Sequence, residues 1–559
     1  MPVLRFRAER LARLVGLDDP SDLEEVAFKL KGEAEWGEEG YVYIELNPDR
    51  PDMYIGEGFA RAARGLLGLA AGYQRPETVE SGVEVRAGRV ASRPYVAAAV
   101  VYNVNVDGEY LEELIQFQEK LHDTIGRRRR KAAIGLHDLA KLPDRRVEYV
   151  EVNIREAEME PLHGGGRVSV AEVLEGTEQG QRYGRLALAG ERHPALVAGG
   201  EIIAVPPVIN SDVTRVEPGT RDLFIDVTGT DPRAVLSTLE VLVAGLAERP
   251  GARVGLVRLE APGMPGRTPA MESRVHRLSA AWASRLLGVE LGPGELARLL
   301  ERARHNARPL DSGEVEVEVP PYRVDVLGPI DLVEDAAMMM GYDSLQPRLP
   351  QLRTRGGLMG LTLLAREFKK LAVGLGFTQV MQMVLVSPRV VEALGLQGAV
   401  EVANPVQAEY SVLRPSLAAS LVMVAAENQH AEKPVRVFEV GEVVWREAGS
   451  VYEELRAGLA VLDESVSFED VQAPLYSILR ILGVRFTARR AGAPWAIPGR
   501  FAVLEMEGGE RLGWIGEVHP EVLERLGIEY PLALAEVSLS AIASGEGRFR
   551  IRGRATRSP

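Results

Sequence analysis

The sequence predicts an α+β protein of several domains, and three observations predict it. At 559 residues the chain is too long for one core, and length suggests three to five domains of about 100–200 residues each. Apolar residues recur at helical spacing in some stretches and alternate in others, so helices and strands are both expected throughout. Proline- and glycine-rich connectors, such as EAPGMPGRTP at 260–269, separate these stretches. The predicted blocks are 1–85, 90–260, 270–347 and 352–545, followed by a basic C-terminal tail at 546–559.

Composition narrows the class. Charged residues at 26% and hydrophobic ones at 46% describe an ordinary soluble globular protein. No apolar run is long enough to span a membrane, and MPVLRFRAERLARLVG has no signal-peptide pattern, so the expected location is cytoplasmic. The chain has no cysteine, which excludes disulfides, thiolate zinc sites and cysteine nucleophiles together. Any metal must be held by oxygen or by the eight histidines. A net charge of −14 argues against uniform coating of nucleic acid, so an RNA partner would need local basic patches.

The first block begins with a short strand running into a helix, MPVLRFRAERLARLVGL. In YVYIEL, Val42, Ile44 and Leu46 fall on one face of a strand. Asn47, Pro48, Asp49, Arg50, Pro51 and Asp52 then make a turn before the helix that contains Glu57 and Arg61.

The second block opens with the apolar strand YVAAAVVYNV. In the helix that follows, Leu111, Leu114, Ile115, Gln118, Leu121 and Ile125 are expected on one face, with Gly126 as the C-terminal cap. Arg127, Arg128, Arg129, Arg130 and Lys131 come next. Cations at a helix C-terminus are favourable in themselves, so a solvated basic turn accounts for them; contact with an RNA backbone is the functional alternative. A strand and turn carry His137 and Asp138. Further on, Pro206 and Pro207 break a strand, and Asn210, Ser211 and Asp212 gather at a turn. LFIDVTGTD puts Asp226 and Thr228 on the same face of a strand. Short polar side chains facing inward line pockets more readily than they build cores. An Asx-type turn at Asn210 and Ser211 and a β-branched strand residue at Thr228 are the structural alternatives.

The third block carries two short helices, an extended pair in VEVEVPPYRVDVLG, and an acidic helix predicted to start near Asp331 behind Pro329. Leu332, Val333, Ala336, Met339 and Met340 give its apolar face. Asp331, Glu334 and Asp335 are expected on one side of its first turn, with Asp325 just before. Acids at a helix N-terminus are stabilised by about 0.3–1 kcal/mol each, so a well-capped helix start is one explanation. A hard cation such as Mg²⁺, held by several carboxylates, is the other.

The fourth block starts with the amphipathic helix LTLLAREFKKLAVGLGF and a strand, TQVMQMVLVSP, and continues through KPVRVFEVGEVVWRE to ERLGWIGEVHPEVLERLGI. In the tail, Arg548, Arg550, Arg552 and Arg554 alternate with other residues. They suit either a strand with a basic edge touching RNA or a disordered tail.

Three ordered motif groups resemble one family. Pro320, Arg323, Asp325, Asp331, Glu334, Asp335, Gly341, Tyr342 and Asp343 match the P-x-x-R-x-D, D-x-x-E-D and G-Y-D pattern of the small Mg²⁺-binding domain of phenylalanyl-tRNA synthetase beta subunits. The turn at 47–52 and Glu57-Gly58-Phe59-Ala60-Arg61 resemble that family's N-R-P-D and E-G-x-A-R signature. The stretch from QEKLHDTIGRRRRKAAIGLHD to PPVINSDVTRVEPGTRDLFIDVTGTD is similar to the editing domain of the archaeal and eukaryotic-type subunits. The resemblance implies Asp325, Asp331, Glu334 and Asp335 as Mg²⁺ ligands in a winged-helix-like domain. It also implies hydrolysis of wrongly attached tyrosine from tRNA(Phe), with His137, Asn210, Ser211, Asp226 and Thr228 as editing-pocket candidates. Proofreading has a physical rationale, because a site shaped for an aromatic ring admits its hydroxylated analogue while a second site can bind that hydroxyl.

Residues 352–545 resemble a class II synthetase core, an antiparallel sheet flanked by helices, with departures. Arg446 stands where the second class II motif needs arginine, but Glu447 is out of register, and Gly513-Trp514-Ile515-Gly516 is followed by no ATP-contacting arginine. Adenylation builds negative charge on phosphates, so a core without those arginines is expected to be noncatalytic. The resemblance therefore implies a subunit of the ligase that attaches phenylalanine to tRNA(Phe) with ATP. Adenylation would lie on an alpha subunit, in an α2β2 assembly, and the length suits the shorter archaeal kind. A free-standing aminoacyl-tRNA editor without a ligase partner is the alternative. A hydrolase using the acidic helix directly is weaker, since no histidine or nucleophile accompanies those carboxylates.

Overall fold

The computed structural model describes residues 2–350, 354, 356–544 and 549–550. It divides into two units, Met1–Leu349 and Pro350–Pro559, of mixed α and β structure. Among the described residues no helix is long and apolar enough to cross a membrane.

The first unit begins with a three-stranded antiparallel sheet in which Tyr41–Leu46 lies between Val3–Arg7 and Gly32–Trp36. Val42, Ile44 and Leu46 are fully buried, as the alternation requires, each contributing about 1.5–3 kcal/mol of apolar burial. Helix Gly56–Leu66 packs its alanines and Phe59 into the same core. A larger sheet follows, with ten strands among the described residues. Strand Leu223–Gly229 is buried along its whole length and pairs antiparallel with Tyr95–Tyr102 on one side and Ala132–Asp138 on the other. Apolar clusters cover both faces of this sheet, so its strands Ala132–Asp138 and Leu223–Gly229 are buried along their whole length.

Strands Arg274–Ser279, Glu314–Val319 and Asn306–Pro309 form a third sheet against helices Ala280–Leu287, Pro293–Arg302 and Pro329–Met340. Val315, Val317 and Val319 are buried on its inner face. Ser279 caps the first of these helices by accepting from the Trp282 N–H, and Gly288 ends it in the left-handed conformation.

The second unit is built on a sheet with eight strands among the described residues, dominated by the hairpin Val435–Glu447 and Ser450–Leu462. Helix Leu417–Asn428 contributes to the apolar cluster on one face, and helices Gly360–Gly374 and Glu469–Ile481 to the cluster on the other.

Three expectations are corrected. Thr378–Gln379 and Leu385–Val386 are separate two-residue strands in different sheets, not one continuous strand. In helix Gly108–Asp123 the buried face is Tyr110, Leu114, Phe117 and Leu121, while Ile115 is half exposed. The aromatic residues rotate the apolar stripe toward the core. Gly126 is not a left-handed cap; it is buried, and a Cβ there would lie 2.5 Å from the Ala132 carbonyl oxygen. In the tail, Phe549–Arg550 pair with Glu453 and Tyr452 as a short strand. Arg548, Arg552 and Arg554 lie outside the described residues.

Candidate functional site

The period of two along Leu223–Gly229 sends Phe224, Asp226 and Thr228 to one face. On the neighbouring strand the register sets Phe224 opposite His137, Asp226 opposite Gly135 and Thr228 opposite Ala133. Glycine is needed in this row. A Cβ at Gly135 would come 2.1 Å from Asp226 Oδ1 and 2.9 Å from His137 Nε2, so its absence is what lets those two side chains meet. His137 Nε2 lies 2.9 Å from Asp226 Oδ1, and Nδ1 lies 2.7 Å from Thr214 Oγ1. A carboxylate oxygen accepts, so Nε2–H of His137 donates to Asp226 while Nδ1 meets the Thr214 hydroxyl. Both side chains are buried, and among the described residues Asp226 Oδ2 has no protein partner.

A cavity of about 480 Å³ opens against Asp226, within the range of small-ligand pockets. Leu111, Leu114, Ile115, Leu136 and Val208 give it an apolar wall, and Asn210, Arg129 and Glu119 add polar groups. Asn210 is held by donating from Nδ2 to the Leu136 carbonyl, at 2.9 Å. Arg129 donates to the carbonyls of Pro207 and Val208 at 3.1 and 3.0 Å and to Glu119 at 2.7 Å, with its guanidinium 4.5 Å from the Tyr183 ring centroid. Burial alone would raise the Glu119 pKa, but His122 and then Arg129 outweigh it and hold the carboxyl at about 2.

Of the five pocket candidates, Asn210 and Asp226 line this cavity and His137 stands behind Asp226. Ser211 and Thr228 do not line it. Ser211 donates its hydroxyl to the Glu160 carbonyl and caps the turn that follows. Thr228 accepts from Arg93 Nε at 2.9 Å, and Arg93 also donates to the Thr228 and Arg129 carbonyls. Sequence inspection missed Gly135, Arg93, Thr214 and Glu119. Only Gly135 had a usable signal, an isolated glycine inside a strand pattern, which marks close approach of another group.

The basic run makes a tight turn with Arg127, Arg128 and Arg129 all at positive φ, a conformation costing about 1–2 kcal/mol per residue. Arg129 and Lys131 are engaged, the latter with Asp231 at 2.9 Å. Arg127, Arg128 and Arg130 are exposed, and among the described residues none of the three is ion-paired.

The four predicted metal ligands do not converge. Arg323 donates to both oxygens of Asp325, the shortest contact 2.7 Å, and to both oxygens of Asp335 at 2.8 and 2.9 Å. His305 Nε2 adds a contact to Asp335 at 2.8 Å. Asp331 Oδ2 accepts from the Leu327 and Gly328 N–H groups and so caps the helix. Glu334, half exposed, pairs with Lys31. Among the described residues no three acidic or histidine side chains gather as a metal cluster. In this arrangement the buried guanidinium of Arg323 supplies the cation to Asp325 and Asp335, while Asp331 and Glu334 are satisfied by backbone N–H groups and by Lys31.

Residues 345–539 match the family model described as the phenylalanyl tRNA synthetase beta chain CLM domain, and residues 276–342 match the tRNA synthetase B5 domain. A phenylalanine–tRNA ligase beta subunit of Aeropyrum pernix is 55% identical over 98% of this chain and 100% of its own length. One from Saccharolobus solfataricus is 39% identical over 93% of this chain and 95% of its own. The crystal structure of an N-terminal fragment of the phenylalanyl-tRNA synthetase beta subunit of Pyrococcus horikoshii is 32% identical and superimposes with a TM-score of 0.58, covering 61% of this chain and 100% of the fragment.

Proposed function

We propose, from the premise that this chain belongs to the phenylalanine–tRNA ligase beta-subunit family, that the cavity beside Asp226 removes tyrosine wrongly joined to tRNA(Phe). As a member of that family the chain is part of an aminoacyl-tRNA synthetase, with an alpha subunit and tRNA as its partners. The α2β2 stoichiometry, the cytoplasmic location and adenylation on the alpha subunit belong to the same proposal. A free-standing editor is not favoured, since residues 345–539 carry the family's CLM domain as well.

The observation that most supports editing is the orientation of one carboxylate. Glu119 on the same wall is held by Arg129 and His122, whereas Asp226 is held by His137 through Oδ1 and keeps Oδ2 free to accept. A tyrosyl hydroxyl in the cavity donates to Oδ2. A phenylalanyl ring leaves that oxygen unpartnered, which costs about 1–3 kcal/mol and gives discrimination. Among the described residues no serine or cysteine lines the cavity, so the ester is cleaved by water rather than through a seryl or cysteinyl acyl-enzyme. Arg127, Arg128 and Arg130, exposed at the turn that carries Arg129, are placed to take phosphates of the incoming tRNA end. No step is assigned to a metal.

The test is hydrolysis of Tyr-tRNA(Phe) by the assembled ligase. Asp226→Ala should lower the deacylation rate at least tenfold while phenylalanine attachment persists; an unchanged rate rejects the assignment. ATP–pyrophosphate exchange separates the subunit from the free-standing editor. It should be absent with this chain alone and appear on adding the alpha subunit.

A further inference from the structure

The N-terminal three-stranded sheet ends on strand Gly32–Trp36, which pairs with Tyr41–Leu46 on one side and with no described strand on the other. The register decides which of its backbone groups face outward. The Gly37 N–H donates to the Tyr41 carbonyl at 3.0 Å. Bonded and non-bonded residues alternate in an antiparallel pair, so Glu33 and Glu35 bond inward while Ala34 and Trp36 turn their N–H and C=O groups away from the sheet. Among the described residues neither Ala34 nor Trp36 finds a backbone partner on that side, which leaves an open edge.

Helix Leu23–Lys29 packs against this strand. A Cβ at Gly32 would lie 3.3 Å from the Ala27 carbonyl oxygen, so that side of the strand faces the helix, and Ala34, two residues on, faces it too. A groove of about 560 Å³ is left between them, with Phe28 on the helix side and Ala34 on the strand side. Phe28 is 73% exposed, and Trp36 is half exposed at the end of the strand. The rest of the lining is acidic: Asp22, Glu24, Glu25, Glu33 and Glu35, with no lysine or arginine among the lining residues. Lys29 pairs with Glu25, and Lys31 is drawn away to Asp49 and Glu334. Among the described residues Asp22, Glu24, Glu33 and Glu35 have no ion-pair partner.

We propose that this edge docks an extended basic segment of a partner protein, added as a further strand beside Gly32–Trp36. Backbone bonds to Ala34 and Trp36 set its register, and the period of two then divides its side chains between two faces. Those beside Glu33 and Glu35 are arginine or lysine. Those on the opposite face lie over Ala34 and Phe28 and are apolar, with Trp36 offering its ring to a cation at the end of the strand. Charge selects this occupant. A second copy of the same edge, or an RNA backbone, brings like charge against four uncompensated carboxylates, whereas alternating cations neutralise them. The acids that keep two such edges apart are therefore the ones that admit a cationic strand. The surface shares no residue with the cavity beside Asp226, so it stands whether or not that cavity edits.

The experiment is calorimetric titration of the full chain with a synthetic peptide alternating arginine and valine over about eight residues, an ordinary strand length, with amide hydrogen exchange measured in parallel. Saturable binding is expected. Exchange should slow at the Ala34 and Trp36 N–H groups and stay unchanged at Glu33 and Glu35, which already bond inward. Charge reversal at two exposed positions, Glu33→Lys with Glu35→Lys, should weaken binding at least tenfold. Ala34→Pro deletes an outward N–H without removing an inward bond and should weaken it as much, so poor folding of one variant leaves the other decisive. Absence of saturable binding overturns the site. So does equal binding of the glutamate–valine peptide, affinity that survives both variants, or binding that leaves Ala34 and Trp36 unprotected, which is charge attraction without strand addition. Protection of those two N–H groups by added tRNA, or by raising the concentration of the chain alone, would give the edge to RNA or to a second copy and overturn the peptide as well.

Discussion

The guanidinium of Arg61 lies 3.6 Å from the centroid of the Tyr322 ring. That stacking joins two motifs 261 positions apart in sequence. Arg61 also donates to Asp52 at 3.2 Å, and Asp52 accepts from Arg50 at 2.8 and 3.0 Å. On the other side, Tyr322 precedes Arg323 with its two aspartates. The N-terminal turn and the acidic helix thus share one buried lattice of cations, carboxylates and an aromatic face. Buried charges are tolerated only when each is paired.

Removing the hub of that lattice should be severe. Arg323→Met leaves Asp325 and Asp335 without their cation, and breaking a buried pair in this way costs about 3–5 kcal/mol. Thermal denaturation of the variant should show a much lower midpoint. A midpoint within a degree or two of the parent would mean that the carboxylates are compensated by something other than Arg323.

Metal removal should do little to this chain. Since the acidic helix is neutralised by Arg323, Lys31 and backbone N–H groups, prolonged chelation is expected to leave the melting temperature of the isolated chain unchanged. A fall in the midpoint that added Mg²⁺ restores would reinstate an ion at Asp325, Asp331, Glu334 and Asp335.

Stability should decline in acid through Asp52. Burial alone would raise its pKa, but Arg50, then Arg61 and Arg323, outweigh that and hold it at about 2, below the usual 3.8. The folded value is the lower one, so the fold favours the ionised form. Its contribution is therefore present above pH 3.8 and is lost as pH falls through about 2, amounting to roughly 2 kcal/mol. Denaturant titrations of the parent and Asp52→Asn across pH 5 to 2 measure it: the gap between them should close in acid, and a constant gap would contradict the linkage.

Gly135→Ala tests the editing geometry without touching a polar group. The added methyl forces Asp226 away from His137, and displacement of about 1 Å at a reacting site costs roughly a hundredfold. Hydrolysis of Tyr-tRNA(Phe) should fall accordingly while phenylalanine attachment continues. Equal hydrolysis by the variant would place the chemistry elsewhere.

Charge reversal at Arg127, Arg128 and Arg130 should weaken tRNA binding and flatten its dependence on salt. Each lost phosphate contact reduces the log–log slope by about 0.7–0.9, so the triple variant should lose roughly 2 or more units. An unaltered slope would assign the turn to solvent.

The sequence by itself determined the alternating strand of Val42, Ile44 and Leu46, the start of the acidic helix behind Pro329, and the family, because period, capping and motif order are local properties of the chain. It also offered Asp226 and Asn210 as candidates through that resemblance, and both line the cavity of the first unit. What pairs with what was decided only by the tertiary structure. Register across two strands put Gly135 under Asp226 and gave His137 its partner. Packing of distant segments drew Arg323 between Asp325 and Asp335, where the resemblance implied four carboxylates around an ion. Thr228 followed the same logic, its parity correct and its partner, Arg93, 135 residues away. Periodicity fixes the face a side chain occupies, but a charge is satisfied by whatever lies within about 3 Å, and that distance is set by the fold.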